Sequence, residues 1–384
     1  MLIVSVLLPM VLGALLPLLR IKKEGLRSLY IMLSVVVTSA LMLPQVLLGA
    51  EGRDTLFLIT ETLPIAFRLD GAGRVFAGIA AILWPLATLY GLEYMQKDAR
   101  KDTFFAFYII SYGITLGIAC ASNLITLYLF YELLTLATLP LIMHGGKTRN
   151  IRAGLKYLYY SIGGAALVFI GLVYVIYYGG TTEFFYGGLR AMTMGTTANS
   201  LRIGYLICFI GFGVKSAIFP LHTWLIEAAV APTPVTALLH AVAVVKSGVF
   251  AIIRVTWFVF GPTLLIGTYA QHIPLAMAAF TIVYGCTMAL KEQNIKRSLA
   301  YSTVSNLSYI ILGALLLTPE GLRASLMHMS YHSIIKITLF FCAGMYLKKG
   351  ITYVQDLRGM HRAAPELAAA YLLAALALTG IPPL

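Results

Sequence analysis

Gly213-Val-Lys215-Ser-Ala-Ile-Phe-Pro220-Leu-His222-Thr-Trp224-Leu and, a few residues on, Ala231-Pro-Thr-Pro-Val-Thr-Ala-Leu-Leu-His240-Ala-Val-Ala-Val-Val-Lys246-Ser-Gly-Val-Phe are the stretches whose reading decides the fold. They lie in two apolar runs, 204–228 and 232–260, each long enough to cross the roughly 30 Å hydrocarbon layer of a bilayer. Each run carries a lysine near its middle. An ammonium at the centre of a bilayer costs roughly 2.5–3.5 kcal/mol on insertion scales, so it is rarely placed there without a use. The pattern describes a membrane chain that moves charge.

The composition outside these runs agrees. The 384 residues are 60% hydrophobic and 11% charged, a balance suited to lipid. Further apolar windows fall at about 2–20, 29–49, 75–92, 104–122, 124–143, 154–178, 273–290, 299–318, 322–347 and 364–384. The expected fold is an all-α polytopic transmembrane bundle of about twelve visible helices, the last unfinished, with no soluble domain attached.

The net charge of +13 would suggest nucleic acid in a soluble protein, but here it tracks topology. Counting loops alternately, one side collects Arg20, Lys22, Lys23, Arg27, Lys97, Arg100, Lys101, Lys147, Arg149, Arg152, Lys291, Lys296, Arg297, Lys348, Lys349, Arg358 and Arg362. The other holds Arg53, Arg68, Arg74, Arg190, Arg202 and Arg323. By the positive-inside rule the first set is cytoplasmic, which puts the N-terminus outside. Met1–Leu19 lacks a basic region ahead of its apolar run and is followed by basic residues from Arg20, so it reads as a retained first helix rather than a signal peptide. Cys120, Cys208, Cys286 and Cys342 sit singly in separate apolar segments, which argues against disulfides, an iron–sulfur cluster or structural zinc. They read as small buried hydrophobes.

Ionisable residues inside the spans carry the functional reading. Glu132, in Tyr128-Leu-Phe-Tyr-Glu-Leu-Leu, needs a partner, and Lys215 lies at a similar depth in its own segment. At 4 Å and an effective dielectric near 20 their attraction is about 4 kcal/mol. A closed pair stays ionised; on opening, the desolvated ammonium is disfavoured and can release its proton. The plain alternative is a permanent ion pair that pins two helices. Further charged groups favour the switch: Lys246, His240, His328, His332 and Lys336 all fall inside apolar spans, the last three at i, i+4, i+8 on one helical face. A His-His-Lys stripe opposing lysines on other helices reads as a proton relay. The His328/His332 spacing could also hold zinc, but no nearby Cys or carboxylate supplies the remaining ligands, so no metal is expected. Lys156, Glu227 and Arg254 lie nearer segment ends, where long side chains can snorkel to the interface; that reading is favoured for Arg254, while Lys156, Glu227 and His222 stay as accessory candidates.

Prolines give a second line of reasoning. Pro220 interrupts the seventh segment just after Lys215, and Pro382 and Pro383, in Gly380-Ile-Pro-Pro383, interrupt the twelfth. Broken helices at matching places in two halves point to the inverted repeats of transporters, because irregular backbone at membrane depth is tolerated beside a cavity.

These residues resemble a known family closely. Tyr131-Glu132, the two stretches quoted first, Gln293-Asn-Ile-Lys296-Arg-Ser-Leu-Ala-Tyr301-Ser-Thr-Val-Ser305 and the helix with His328, His332 and Lys336 look like the antiporter-like subunits shared by respiratory complex I, membrane-bound hydrogenases and multi-subunit cation/proton antiporters of the Mrp type. The resemblance runs from about residue 65 to the last residue.

It implies a fold of fourteen transmembrane helices with two inverted five-helix repeats, each with one broken helix. The corresponding division here is 1–103 for helices one to three, 104–260 for the first repeat, and 261–384 for a second repeat truncated at its broken helix. It also implies roles: Glu132 and Lys215 as the coupling pair, Lys246 as the central proton-carrying lysine, and His240, His328, His332 and Lys336 as extensions of a hydrated polar axis. The chain would bind no redox cofactor. Its partners would be antiporter-like and small hydrophobic membrane subunits, with or without a redox module, in a cytoplasmic membrane. It would carry protons, with or without Na+. The Lys246 context lies closer to the hydrogenase and cation-antiporter branches than to mitochondrial-type complex I. In the family the twelfth helix continues past its break, and two more follow. Here Leu367–Ile381 rises only about 22 Å as a helix before the sequence stops at Leu384, so either a fragment or a covered end is expected. The competing functional classes are a structural scaffold that anchors a catalytic partner, and an intramembrane metal enzyme built on His328 and His332.

Overall fold

The computed structural model describes residues 1–49, 52–60, 63–188 and 197–381. Sixteen α-helices are described: α1 Leu2–Leu19, α2 Glu24–Leu48, α3 Gly71–Tyr94, α4 Lys101–Ala119, α5 Leu124–Ile142, α6 Thr148–Gly179, α7 Thr197–Lys215, α8 Thr223–Ala228, α9 Thr233–Ala241, α10 Val244–Arg254, α11 Pro262–Leu265, α12 Tyr269–Lys291, α13 Ile295–Leu315, α14 Pro319–Lys348, α15 Met360–Ala363 and α16 Pro365–Thr379. Among the described residues, ten spans are long and apolar enough to cross a membrane, with α9 and α10 forming one such span together with a π-helical turn, Val255–Phe260. The helix α14 is not among the ten: its length of 30 residues suffices, but the polar stripe read from the sequence lowers its apolarity. All the windows expected from the sequence meet helices.

Two departures bear on the site. A hairpin of β1, Asp54–Thr60, and β2, Leu63–Phe67, lies between α2 and α3. Its apolar, Thr-rich residues suit a pleated, half-buried surface. Phe67 packs edge-on against Phe130 at 5.4 Å, and the Ala66 amide donates to Thr126 Oγ1 at 3.0 Å. Asn123 caps α5 by accepting from the Thr126 amide at 2.8 Å and donates through Nδ2 to the Pro64 carbonyl at 2.9 Å. Such a cap contributes about 1 kcal/mol, and here it also ties the start of α5 to the hairpin.

The second departure concerns 232–260, read as one helix. Val242 and Ala243 leave helical geometry, so α9 ends at Ala241 and α10 starts again at Val244. Every residue of the span Thr233–Phe260 is buried in the window that crosses the membrane. The span is therefore the centre of the bundle, with α14 packed on α9 and α7 on α10. Of the cysteines, Cys120, Cys208 and Cys342 are buried as expected, whereas Cys286 on α12 faces outward. Pro382, Pro383 and Arg190 lie outside the described residues.

Candidate functional site

The break after α7 builds the first half of the site. Ala217 adopts φ 56°, a left-handed conformation that halts the helix, and Pro220 brings no N–H to continue it. Carbonyls freed by the break find donors: Trp224 Nε1 donates to the Val214 carbonyl at 2.7 Å, and Ser216 Oγ to the Gly213 carbonyl at 3.1 Å. The Phe219 amide donates to Thr281 Oγ1 of α12 at 3.0 Å. The unwound backbone is thus satisfied inside the protein, as bilayer depth requires.

Lys215 is the last residue of α7 and is 0% exposed. Its Nζ donates to the Tyr131 carbonyl, sits 3.4 Å from the centroid of the Tyr131 ring, and lies 3.7 Å from Glu132 Oε1. The carboxylate is 26% exposed, and this oxygen has no hydrogen-bond partner. The expected pair therefore forms, as a charge contact slightly too long for a hydrogen bond, with the ammonium held by a carbonyl and a π-face instead. Gly248 lets α10 approach: a Cβ there would stand 2.5 Å from the Ser216 amide nitrogen and 2.7 Å from the Lys215 carbonyl carbon.

The second half is built on α10, α13 and α14. Lys246, in the first turn of α10, is fully buried, and its Nζ lies 2.7 Å from Nδ1 of His332. The rings of His332 and His328 are 6.1 Å apart, and His328 Nε2 meets Asn306 Oδ1 at 3.2 Å. Lys336 is fully buried and donates to the Leu299 carbonyl at 3.1 Å and to Ser302 Oγ. His240 stacks on Phe340 at 4.8 Å with both ring nitrogens unpartnered, and His332 Nε2 is also free of protein partners. A cavity of about 790 Å³ opens beside His328, His332, Asn306 and Gly380. The unpartnered Nε2 of His332, a residue that lines this volume, is where water would be held. No hydrogen bond among the described residues joins the Glu132–Lys215 pair to the Lys246–His332 pair.

The accessory candidates divide. Lys156 and Glu227 form an ion pair at 2.5 Å, with side chains 30% and 50% exposed. His222 is buried among the rings of Phe219, Tyr284 and Tyr301, and its Nδ1 has no partner.

Two groups escaped the sequence reading. Arg254 does not snorkel: its guanidinium is fully buried and grips Asp70 with two nitrogens, Nη2 at 2.6 Å from Oδ1 and Nη1 on Oδ2. Asp70 caps α3 by accepting from the Gly73 amide at 2.9 Å. Burial pushes the Asp70 carboxyl up, but the Arg254 guanidinium and the Gly73 amide outweigh it and hold the group below its usual range. Lys296, counted as a loop charge, is buried and donates to the Ala231 carbonyl at 2.7 Å. It lines a cavity of about 700 Å³ on the side of the basic loops, together with Asp98, His144 and Arg297. Its place three residues after Gln293 in the quoted motif was the available signal.

Known proteins fit this geometry. The family model described as "NADH:quinone oxidoreductase/Mrp antiporter, TM" matches residues 121–384. The "NAD(P)H-quinone oxidoreductase subunit 5, chloroplastic" of Ranunculus macranthus is 30% identical over 389 residues, covering 94% of this chain and 51% of that protein. A probable K(+)/H(+) antiporter subunit of Rhizobium meliloti is 31% identical over 327 residues, covering 83% of this chain and 32% of that protein. In the solved respiratory complex I of Thermus thermophilus with bound NADH, one chain superimposes with a TM-score of 0.83 at 26% identity, covering 100% of this chain and 79% of that one. The chain spans about half the length of the first of these curated relatives. With its core matched over most of its length and its helices superimposed throughout, the chain belongs to the transmembrane family of NADH:quinone oxidoreductase and Mrp antiporter subunits.

Proposed function

We propose that this chain translocates protons, alone or in exchange for Na+, through a lysine/glutamate/histidine relay, as the antiporter-like subunit of a multi-subunit complex coupled to redox chemistry or cation exchange. The observation that carries the reading is the buried Lys215, 3.7 Å from Glu132 at the end of a broken helix. A contact this loose has an alternative close at hand, because the ammonium already leans on the Tyr131 carbonyl and ring. Separation of the pair leaves Lys215 in a desolvated place without its counter-charge, the condition under which a proton is passed on.

Lys246, His332 and His328 form the next stage, with the unpartnered nitrogens of His332 and His240 bridged by water, and Lys336 beyond them. The positions of the two breaks support opposite roles for the two lysines. Lys215 closes α7, where the negative end of the helix dipole favours an ammonium; Lys246 opens α10, where the positive end opposes one. The division 1–103, 104–260 and 261–384 then corresponds to an N-terminal unit and two inverted repeats, in a cytoplasmic membrane with the N-terminus outside.

Purification of the tagged chain from its native membranes, with mass spectrometry of every copurifying subunit, tests the setting. Iron–sulfur or nickel-containing partners indicate a redox complex, and small hydrophobic partners alone indicate a cation/proton antiporter; recovery of the chain by itself contradicts the proposal. A structural scaffold is separated by Lys215→Ala and Glu132→Ala on a native gel. The relay reading expects assembly to persist in both; a scaffold held by this pair would lose it.

A further inference from the structure

We infer that a groove between the start of α6, the end of α8 and the start of α13 binds the phosphate headgroup of an anionic phospholipid in the leaflet that carries the basic loops. The groove has a volume of about 500 Å³ and is lined by Arg149, Arg152 and Arg297, with Thr148, Glu227 and Ile226 among its other walls. Arg149 and Arg152 stand one turn apart on α6 and meet Arg297 from the first turn of α13. All three are exposed.

The charge balance of the groove is unfinished. Arg297 is paired with Glu292 at 3.1 Å, and the acid of the groove, Glu227, is taken by Lys156 at 2.5 Å. Arg149 and Arg152 are left without an acidic partner among the described residues. The first turn of α6 carries no side-chain cap, so its amides add to the same field. Guanidinium forks match phosphate oxygens in pairs, which a lone lysine does not.

The surroundings select a lipid over a soluble phosphate. From Arg152 the exposed face of α6 continues as Leu155, Tyr159 and Ile162, an apolar track that acyl chains would follow into the bilayer. Ala153, Ile226 and Val230 supply an apolar floor under the arginines. Juxtamembrane basic residues are drawn towards an anionic leaflet before any specific contact is counted. Glu227 on α8 is the last acidic group before the second break, so an occupied groove would add to the Lys156–Glu227 fastening of α8 to α6.

The test uses the complex as isolated from native membranes, delipidated and placed in phosphatidylcholine nanodiscs with or without phosphatidylglycerol. Native mass spectrometry then counts the anionic lipid retained. Wild type should retain phosphatidylglycerol in preference to phosphatidylcholine, and the Arg149→Gln/Arg152→Gln variant should bind it about ten- to hundredfold more weakly, as the loss of two juxtamembrane basic residues implies. Arg149→Lys/Arg152→Lys should recover part of the loss, whereas Arg20→Gln/Lys22→Gln, elsewhere on the same side, should change nothing. Equal retention by wild type and the Gln variant overturns the inference. So does displacement of the lipid by inorganic phosphate at matched concentration, which would make this a site for the free anion, or cross-linking of the Arg149→Cys variant to a neighbouring protein in place of lipid.

Discussion

At the scale of single residues, the Arg254–Asp70 pair stands apart from the charges of the proposed relay. Arg254 and Asp70 make a bidentate pair with no ionisable relay member in contact, so they act as a fastening between α3 and α10. Removal of one partner of a buried pair costs about 3–5 kcal/mol. Arg254→Met should therefore lower the thermal unfolding midpoint, followed by tryptophan fluorescence in detergent, and an unchanged midpoint would contradict this role. The pair also has a defined pH dependence. Because the folded Asp70 carboxyl lies below its usual range, its contribution is complete above the unfolded value of about 3.9 and lost as pH falls through the lower folded value. In Arg254→Met the same burial acts on Asp70 with no guanidinium to offset it, so the penalty should be greatest near neutral pH and shrink as falling pH protonates the stranded carboxyl. His332 differs, since it serves Lys246. His332→Ala leaves the buried Lys246 nitrogen without its 2.7 Å partner, and the proposed relay predicts that proton movement in proteoliposomes slows about tenfold.

At the scale of elements, the decisive feature is a pair of neighbouring spans, each interrupted once beside a lysine. Gly248 is the point where α10 touches the broken end of α7, and a methyl group there meets backbone rather than a movable side chain. Gly248→Ala should cost about 1–3 kcal/mol as overpacking and depress proton movement more than Ala substitution at an outward-facing position of α12 such as Leu290. Equal effects of the two would contradict the contact. The elements also differ in how far the sequence displays them. The break at Pro220 was legible because proline at membrane depth has few explanations. The break at Val242–Ala243 was not: neither residue is a glycine or proline, and the interruption comes from packing around a fully buried span. The stripe on α14 could be read from its spacing, yet spacing gave no hint that His328 turns to Asn306 while Lys336 turns to Ser302. The hairpin Asp54–Phe67 went unread because a short strand pair resembles a loop between two long apolar runs. Arg254 was misread because depth was judged from its distance to the segment end, whereas Asp70 reaches it from another helix.

For the whole molecule, the arrangement is a chain of buried charges with cavities at separate points. Lys296 faces a cavity of about 700 Å³ on the side of the basic loops, and His328 and His332 face another of about 790 Å³ next to Gly380. The two lysine stages approach each other through backbone at Gly248 and are not joined by a hydrogen bond among the described residues. The proposed relay, with such a gap, would conduct only when water or a side-chain movement closes it, as the proposed coupled translocation requires. The central claim is that Glu132 and Lys215 control this gate. It is tested most directly by reconstituting the isolated complex into proteoliposomes and following a pH-sensitive dye inside them, for wild type, Glu132→Gln and Lys215→Ala. Both variants should assemble and insert yet lose most proton movement; full proton movement in both would contradict the account.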